Sequence, residues 1–342
     1  MSTEAPAGLD LSLSGPPPAP PDETLALARY PALREFRDRL GSTPLIEVPG
    51  PAGGARILAK VESANPFGSV KDRPAYALLC DAVNRHDHAA RPLKLVDFSG
   101  GNLARALAGL AALTGIPVRL AVPDSIPASL LATLRAAGAE LDFVPADRFL
   151  YGIMRRAADI AEQDPSWTLL HQHRNTSNPA VHEFMTGAEI TEQLGASTPG
   201  HWVAAVGTGG TLTGVGRALR RRLPRIGVVG VTPLEMPYGT DRPPNGGPKF
   251  AGAGGIGYGL RQPFLDGLLP GVVHRTVSYR QALTAMGEFR ALTGIAIGAS
   301  SAANWLTAQE IAAGLGGDES VVTLFADAGT PEDWDRVATL RP

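Results

Sequence analysis

The chain has 342 residues, among them 40 glycines and 30 prolines; 44% of it is hydrophobic, 19% is charged and the net charge is -2. That balance excludes a basic nucleic-acid binder or a polybasic membrane-surface protein, and no apolar run reaches the roughly 18 residues of a membrane span. The lone Cys80 excludes an intramolecular disulfide and reads as a buried structural thiol in a reducing compartment. No basic start precedes an apolar core at the N-terminus, so no secretory signal is expected and the cytoplasm is the expected location.

Residues 1–24 are rich in Pro, Ala, Gly and Ser, with Pro16-Pro17-Pro18 and Pro20-Pro21, and are expected to be disordered or partly polyproline. A helix over 24–40 should break at Pro31, and Gly41-Ser42-Thr43-Pro44-Leu45 turns into a strand. Ile57, Leu58, Ala59 and Val61 form a strand that stops at Asn65-Pro66. Ser69 then offers a helix N-cap, and Asp72 a carboxylate for the first turn. From there strand and helix alternate: strand 93–98, a helix carrying Leu103, Leu107, Leu110 and Ala111 and ended by Gly115, strand 118–122, helix 129–137, strand 141–144, helix 151–163 and strand 168–172. The second half continues with helix 179–194, strand 202–206, helix 212–223 and strand 226–231. A Gly/Pro-rich loop over 232–262 has the look of a lid or binding segment, and helices 279–293 and 302–313 and strand 320–325 follow. The alternation predicts an α/β fold of two domains, each a mostly parallel twisted sheet flanked by helices. The expected division is a disordered segment 1–36, an N-terminal domain 37–185 whose first strands are free to pair with the other domain, and a C-terminal domain 186–342.

Strand-to-helix corners carry the residues that helix formation does not explain. Lys71 opposes the dipole of its own helix. It is either a solvated surface lysine or an amine projecting into the cleft beside the strand ends, where partial desolvation would free it to form a Schiff base. Gly207-Thr208-Gly209-Gly210-Thr211 can converge its amides on a phosphate at a helix N-terminus, or be only a tight turn. The dinucleotide fingerprint fails there, because its third glycine would fall at Leu212 and no acidic residue ends the next strand. Ser99-Gly100-Gly101-Asn102 can present amides to a carboxylate; Asn102 can bond a ring oxygen or cap the helix. Ser300 can meet an aromatic nitrogen or cap its helix. His171 and His173 alternate along the expected strand, either as a metal pair or with His173 as a cleft-lining acid or base. The run Arg217, Arg220, Arg221, Arg222 and Arg225 reads as a solvated helix end.

One lysine, one phosphate cradle and small polar corners on parallel sheets suggest pyridoxal phosphate (PLP). Over residues 41–329 the chain resembles the cysteine synthase / cystathionine β-synthase family of fold type II (tryptophan synthase β-like) PLP-dependent enzymes. The motifs that carry the resemblance are Gly41 to Leu45, Lys60-Val61-Glu62, Asn65-Pro66, Ser69-Val70-Lys71-Asp72-Arg73, Gly101-Asn102, Gln172 with Asn175 and Asn178-Pro179, Thr186-Gly187-Ala188-Glu189-Ile190, Gly207 to Thr211, and Gly298 to Ser301. The resemblance implies PLP in the cleft between two domains of a homodimer. It implies that Lys71 forms the Schiff base and moves the α-proton, that Asn102 bonds the phenolic oxygen, that Gly207, Thr208, Gly209, Gly210 and Thr211 hold the phosphate, and that Ser300 meets the pyridine nitrogen. Ser99, Gly100, Gly101 and Gln172 would face the substrate, with His173 lining the cleft. The implied reaction is β-replacement on an O-activated L-serine (O-acetyl- or O-phosphoserine) through an aminoacrylate, giving cysteine or a non-protein β-substituted alanine. The implied partners are an amino acid and a small nucleophile, with no metal, nucleic acid or membrane. Two alternatives stand beside it: β-elimination of the serine/threonine dehydratase kind, and a catalytically weak PLP-binding homologue acting through a protein partner.

The substrate side departs from the family pattern. A loop that usually reads T-S-G-N-T-G is here Ser99, Gly100, Gly101, Asn102, Leu103 and Ala104, so a serine and a threonine for the substrate carboxylate are missing. His171, His173 and Arg174 flank Gln172, Thr232 replaces a glutamate before Pro233, and residues 250–257 only loosely echo the family's Gly-rich loop. Arg105, in a first turn where a cation is disfavoured, is expected to meet an extra anionic group on substrate or nucleophile, with Arg174 as the other candidate and a salt bridge to a neighbouring carboxylate as the plain explanation. These changes shift the expected product from cysteine towards a diaminopropionate or a ureido- or thio-substituted alanine.

Overall fold

The computed structural model describes residues 12–239 and 256–340. Helices α1 (Thr24–Arg29) and α2 (Leu33–Arg39) flank the break at Pro31. Then come β1 (Leu45–Val48), β2 (Arg56–Val61), α3 (Asp72–Arg85), β3 (Lys94–Phe98), α4 (Asn102–Thr114) and β4 (Val118–Pro123). They lead to α5 (Ala128–Ala136), β5 (Glu140–Val144), α6 (Phe149–Gln163) and β6 (Trp167–Leu169). One helical run holds α7 (Ser177–Val181), a π turn (His182–Thr186) and α8 (Gly187–Gln193). The rest is β7 (His201–Ala205), α9 (Gly210–Arg222), β8 (Gly227–Pro233), α10 (Pro263–Leu268), β9 (Val272–Val277), α11 (Tyr279–Thr293), α12 (Ala299–Ala313), β10 (Ser320–Phe325) and α13 (Pro331–Thr339).

Two sheets form, one of six strands in the order β1-β2-β10-β7-β8-β9 and one of four in the order β5-β4-β3-β6. Strand β1 runs antiparallel to β2, and every other strand pairing is parallel. Parallel strands covered on both faces need continuous apolar runs, and β10 is buried along its whole length. Alternate residues divide between the two faces. Ile57, Val321 and Phe325 pack with α11, α12 and α13, while Leu58, Val322 and Leu324 pack with α8, α9 and α10. In the smaller sheet Leu95 and Leu120 join α3, α4 and α5, and Val96 and Ala121 face α6.

Tertiary contacts move several boundaries. Helix α3 starts at Asp72, later than the expected Ser69 cap. The reason is that Val70 N–H donates to Ala326 O at 2.8 Å and Ser69 bridges Asp327, which draws this stretch to the end of β10. Strand β6 stops at Leu169, and His171 takes a left-handed φ of 56°, so His171 and His173 do not alternate along a strand. The Pro-rich segment, expected to be disordered, is docked from Ser12 onward. Ser14 N–H donates to Arg174 O (3.0 Å), Thr176 N–H to Ser14 O (3.2 Å) and Thr176 Oγ1 to Pro16 O (2.7 Å). The arginines of α9 are less solvated than expected: Arg217 Nε donates to the buried Glu183 at 2.6 Å, Arg221 pairs with the same carboxylate, and Arg220 and Arg222 bond the carbonyls of Pro270 and Thr191. Residues 1–11 and 240–255, the latter including most of the expected lid and part of the Gly-rich echo, lie outside the described residues. No helix among the described residues is long and apolar enough to cross a membrane.

Candidate active site

The register sets Phe325 beside Val61 and Thr323 beside Val203, so the C-terminal ends of β2, β10 and β7 lie level. From β7 the chain steps outward to β8 and β9, then returns to form β10 on the other side of β7. Such a reversal of strand order opens a crevice at the carboxyl ends of a parallel sheet. The segments that leave these three ends carry Lys71, Asp327 and the glycine-rich residues 207–211.

Lys71 sits at the N-cap of α3, with its backbone N–H tied to Ser69 Oγ at 3.2 Å. Burial pushes its amine down to about 8, against the partial support of the Asp327 carboxylate. Among the described residues its Nζ makes no hydrogen bond. A lysine in this state is neutral often enough at physiological pH to attack an aldehyde. The rate of PLP uptake by the coenzyme-free protein should therefore rise roughly tenfold per pH unit and level off above about 8, as followed by growth of the visible band. A flat profile from pH 6 to 9 would contradict this.

After β7, Gly209 has φ 81° and caps α9. The N–H groups of Gly207, Thr208 and Gly209 meet no acceptor among the described residues, while Thr208 Oγ1 accepts from Asn178 Nδ2 (3.0 Å) and Gly210 N–H (3.2 Å). A Cβ on Gly210 would lie 2.1 Å from Asn178 Oδ1, so the loop requires glycine there. Free amides at a helix N-terminus on a glycine-walled loop fit a phosphate group. Gly257 supports the loop from below: its φ is 106° and a Cβ would lie 1.9 Å from Val206 O. Gly257→Ala is expected to weaken PLP binding about tenfold, as titrated by absorbance, because the backbone it meets cannot swing away.

Asn102 opens α4; its Nδ2 donates to Asp327 Oδ2 at 2.6 Å, and its Oδ1 accepts from Arg105 Nη2 at 2.7 Å. Ser300 lies buried in the first turn of α12 beside Ser301, whose Oγ accepts from Ala326 N–H at 2.9 Å. The side chains of Lys71 and Asn102 thus gather at Asp327, and the turn that holds Ser300 joins them through Ser301. The loop Ser99-Gly100-Gly101 joins them from the smaller sheet, with Ser99 Oγ accepting from Gly101 N–H at 3.2 Å. Gln172 Nε2 donates to Phe98 O at 2.7 Å, which ties the end of β6 to this loop. His173 is buried, stacked on Phe98 with Nδ1 2.8 Å from Gln262 Oε1. Burial lowers its imidazole to about 4, so it is neutral at physiological pH and does not act there as an imidazolium acid. Arg105 bonds Asn102 and reaches Phe67 O at 3.5 Å, and no carboxylate among the described residues pairs with it. Arg174 Nε donates to Ser12 O at 2.6 Å, which commits it to the N-terminal segment. No three metal-ligating side chains come together among the described residues.

Residues 36–327 match the family described as pyridoxal-phosphate dependent enzyme. The chain belongs to that family. It is 34% identical over 300 residues to a probable cysteine synthase of Bacillus subtilis, covering 85% of this chain and 93% of that protein. Its fold is similar to a crystal structure of O-ureido-L-serine synthase (TM-score 0.74, 28% identity, 87% of this chain and 92% of that one). It is similar too to O-acetylserine sulfhydrylase isoform 3 from Entamoeba histolytica (TM-score 0.78, 25% identity, 90% and 92%). The coenzyme of this PLP-dependent enzyme is pyridoxal phosphate, and its fold is that of the cysteine synthase group.

Several residues around the PLP crevice were not singled out from the sequence. Asp327 links Lys71, Asn102 and the Ser301 turn. His182 opens the π turn and places Nδ1 3.0 Å from Thr186 Oγ1 and Nε2 3.2 Å from Thr211 Oγ1; burial holds it well below the ordinary histidine range. Asp97, fully buried under the Ser99 loop, takes the N–H of Phe98 at 2.9 Å, and burial pushes it up to about 7. Conversely, much of the family signature builds structure. Arg73 makes paired bonds to Glu62 (2.6 and 2.7 Å) and to Glu189 (2.6 and 2.9 Å). Lys60 meets Thr43 O at 2.6 Å and Glu189 at 2.7 Å. Burial works against the charge on Glu189, but its bonds to Arg73 and Lys60 outweigh that and hold it at about 2. Cys80 is inert: burial pushes its thiol up to about 12.

Proposed function

We infer that the protein catalyses β-replacement on an O-activated L-serine, such as O-acetyl- or O-phosphoserine, with a small nucleophile displacing the β-substituent. The observation that carries this is the meeting of a buried Lys71 of lowered proton affinity with loop amides that find no acceptor among the described residues, at one crevice between parallel strand ends. The curated relative named as a probable cysteine synthase and the structural neighbour named O-ureido-L-serine synthase support the same class of chemistry. When bound, PLP withdraws electrons from the amino acid, which eases loss of the α-proton and departure of the β-substituent.

The chain's own residues do the rest. Lys71 Nζ would hold the coenzyme's aldehyde carbon and would serve as the base for the substrate's α-proton. The amides of Gly207, Thr208, Gly209 and Gly210 with the Thr211 hydroxyl would hold the phosphate, Asn102 Nδ2 would donate to the phenolic oxygen, and Ser300 Oγ would serve the ring nitrogen. Ser99, Gly100, Gly101 and the first amides of α4 receive the substrate carboxylate, with Gln172 closing that side. His173 lines the cleft as a neutral ring. The proposed division is a domain at 37–185 and another at 186–342 with this site between them. A homodimer acting in the cytoplasm is proposed from the family resemblance and the lone buried thiol.

The test is to add O-acetyl-L-serine, then O-phospho-L-serine, to the yellow protein and follow the visible band. A spectral change that reverts on adding sulfide or an amine, with a new β-substituted alanine in the product, is expected. Release of pyruvate at the same rate with or without a nucleophile would mark elimination instead, and a silent spectrum with both serines would overturn the proposal.

A further inference from the structure

Asn102 is gripped from both ends. A primary amide can be turned either way, but here Arg105 Nη2, which can only donate, faces Oδ1 at 2.7 Å, and the Asp327 carboxylate, which can only accept, faces Nδ2 at 2.6 Å. The orientation is therefore fixed, and one Nδ2 hydrogen remains without a partner among the described residues. Arg105 stands in the first turn of α4, where a cation opposes the helix dipole, and it pairs with no carboxylate there. Its half-buried side chain bonds the amide, reaches the Phe67 carbonyl at 3.5 Å and acts at longer range on the Asp72 carboxylate. A guanidinium on the amide oxygen draws electrons from the amide and strengthens its free N–H as a donor.

We propose that Arg105 is a positioning residue that tunes the bound coenzyme through Asn102 and does not touch the substrate's leaving group. The proposal rests on the assignment of Asn102 to the phenolic oxygen. The polarised N–H stabilises the anionic form of that oxygen. Arg105 thereby favours the form of the lysine-bound coenzyme with the oxygen ionised, which absorbs in the visible, over the form with the proton on oxygen, which absorbs in the near-ultraviolet.

The experiment compares holoenzymes of the wild type, Arg105→Met, Arg105→Lys, Asn102→Ala and the Arg105→Met/Asn102→Ala pair. Two quantities are read at one pH: the ratio of the visible to the near-ultraviolet band, and the affinity for added pyridoxal phosphate. Arg105→Met is expected to lower the ratio roughly twofold or more and weaken coenzyme binding about tenfold, and Arg105→Lys to recover most of both. In the Asn102→Ala background Arg105→Met should add nothing, because its route is gone. Should Arg105→Met not fold, Arg105→Gln, which keeps a donor without the charge, carries the same expectation at smaller size. A wild-type ratio and affinity in the Arg105 variants, with only the KM for O-acetyl- or O-phosphoserine raised, would overturn the proposal and make Arg105 a substrate contact. An equal shift with and without Asn102 would overturn it as well. A wild type that stays colourless with pyridoxal phosphate would fail the coenzyme assignment itself, a separate outcome.

Discussion

Lys71→Ala is expected to reduce turnover of an activated serine by about a thousandfold or more, because one amine serves as both anchor and base. The purified variant should also lose coenzyme on dialysis, whereas borohydride should fix it to the wild type. The two readouts separate the roles: an added primary amine can restore proton transfer in solution but not the covalent anchor. The amine's place follows from the fold. Lys71 is held at the start of α3 by the pairing of Ser69 and Val70 with residues 326 and 327, and burial there lowers its proton affinity. Activity near the wild-type value in Lys71→Ala would dismiss the proposed chemistry.

The largest effect on stability is expected at Arg73. Its guanidinium is fully buried and bonded to two carboxylates on separate elements, Glu62 after β2 and Glu189 on α8. Removing one partner of a buried pair strands the opposite charge away from water. Arg73→Ala should thus cost about 3–5 kcal/mol in urea unfolding, more than loss of the packing alone. Arg56 and Glu47, paired at 2.7 Å on the surface, supply the contrast: Arg56→Ala is expected to leave the unfolding midpoint unchanged. Equal effects at the two arginines would show that the buried network contributes nothing special. Replacing Arg73 and both carboxylates by apolar residues of similar volume should recover much of the loss, since no charge is then left alone.

The alternation of strand and helix was legible because its periodic apolar residues are the ones that fill the two cores. Leu103, Leu107 and Leu110 face one cluster, as their spacing required, and Gly115 and Gly138 end their helices with positive φ. What the sequence concealed was set by contacts between distant residues. Ser69 looks like a cap, but a backbone partner more than 250 residues away claims that stretch. The alternation of His171 and His173 is real in the sequence, yet the left-handed turn at His171 breaks the strand. Strand β9, an edge strand with His274 half-buried against Tyr238 and Arg275 exposed, and the six-residue α10 carry too little periodic signal to be separated from the loop before them. At the site, Lys71, Asn102 and the glycine-rich loop could be named because their chemistry is unusual for their positions. Asp327 and His182 could not, since an acid after a strand and a histidine in a helix acquire meaning only from what they face.

The π turn at His182–Thr186 has a consequence for the whole helical run. An ordinary α-helix advances about 100° in azimuth with each residue. At the start of the bulge the run points His182 at Thr211 by the phosphate loop; after it, Glu189 and Gln193 point at Arg73 and Lys60. The extra residue is a phase correction that lets one rod face two ways. Deleting a single residue there would leave a better helix and a worse protein, its second half turned away from the charges it exists to meet.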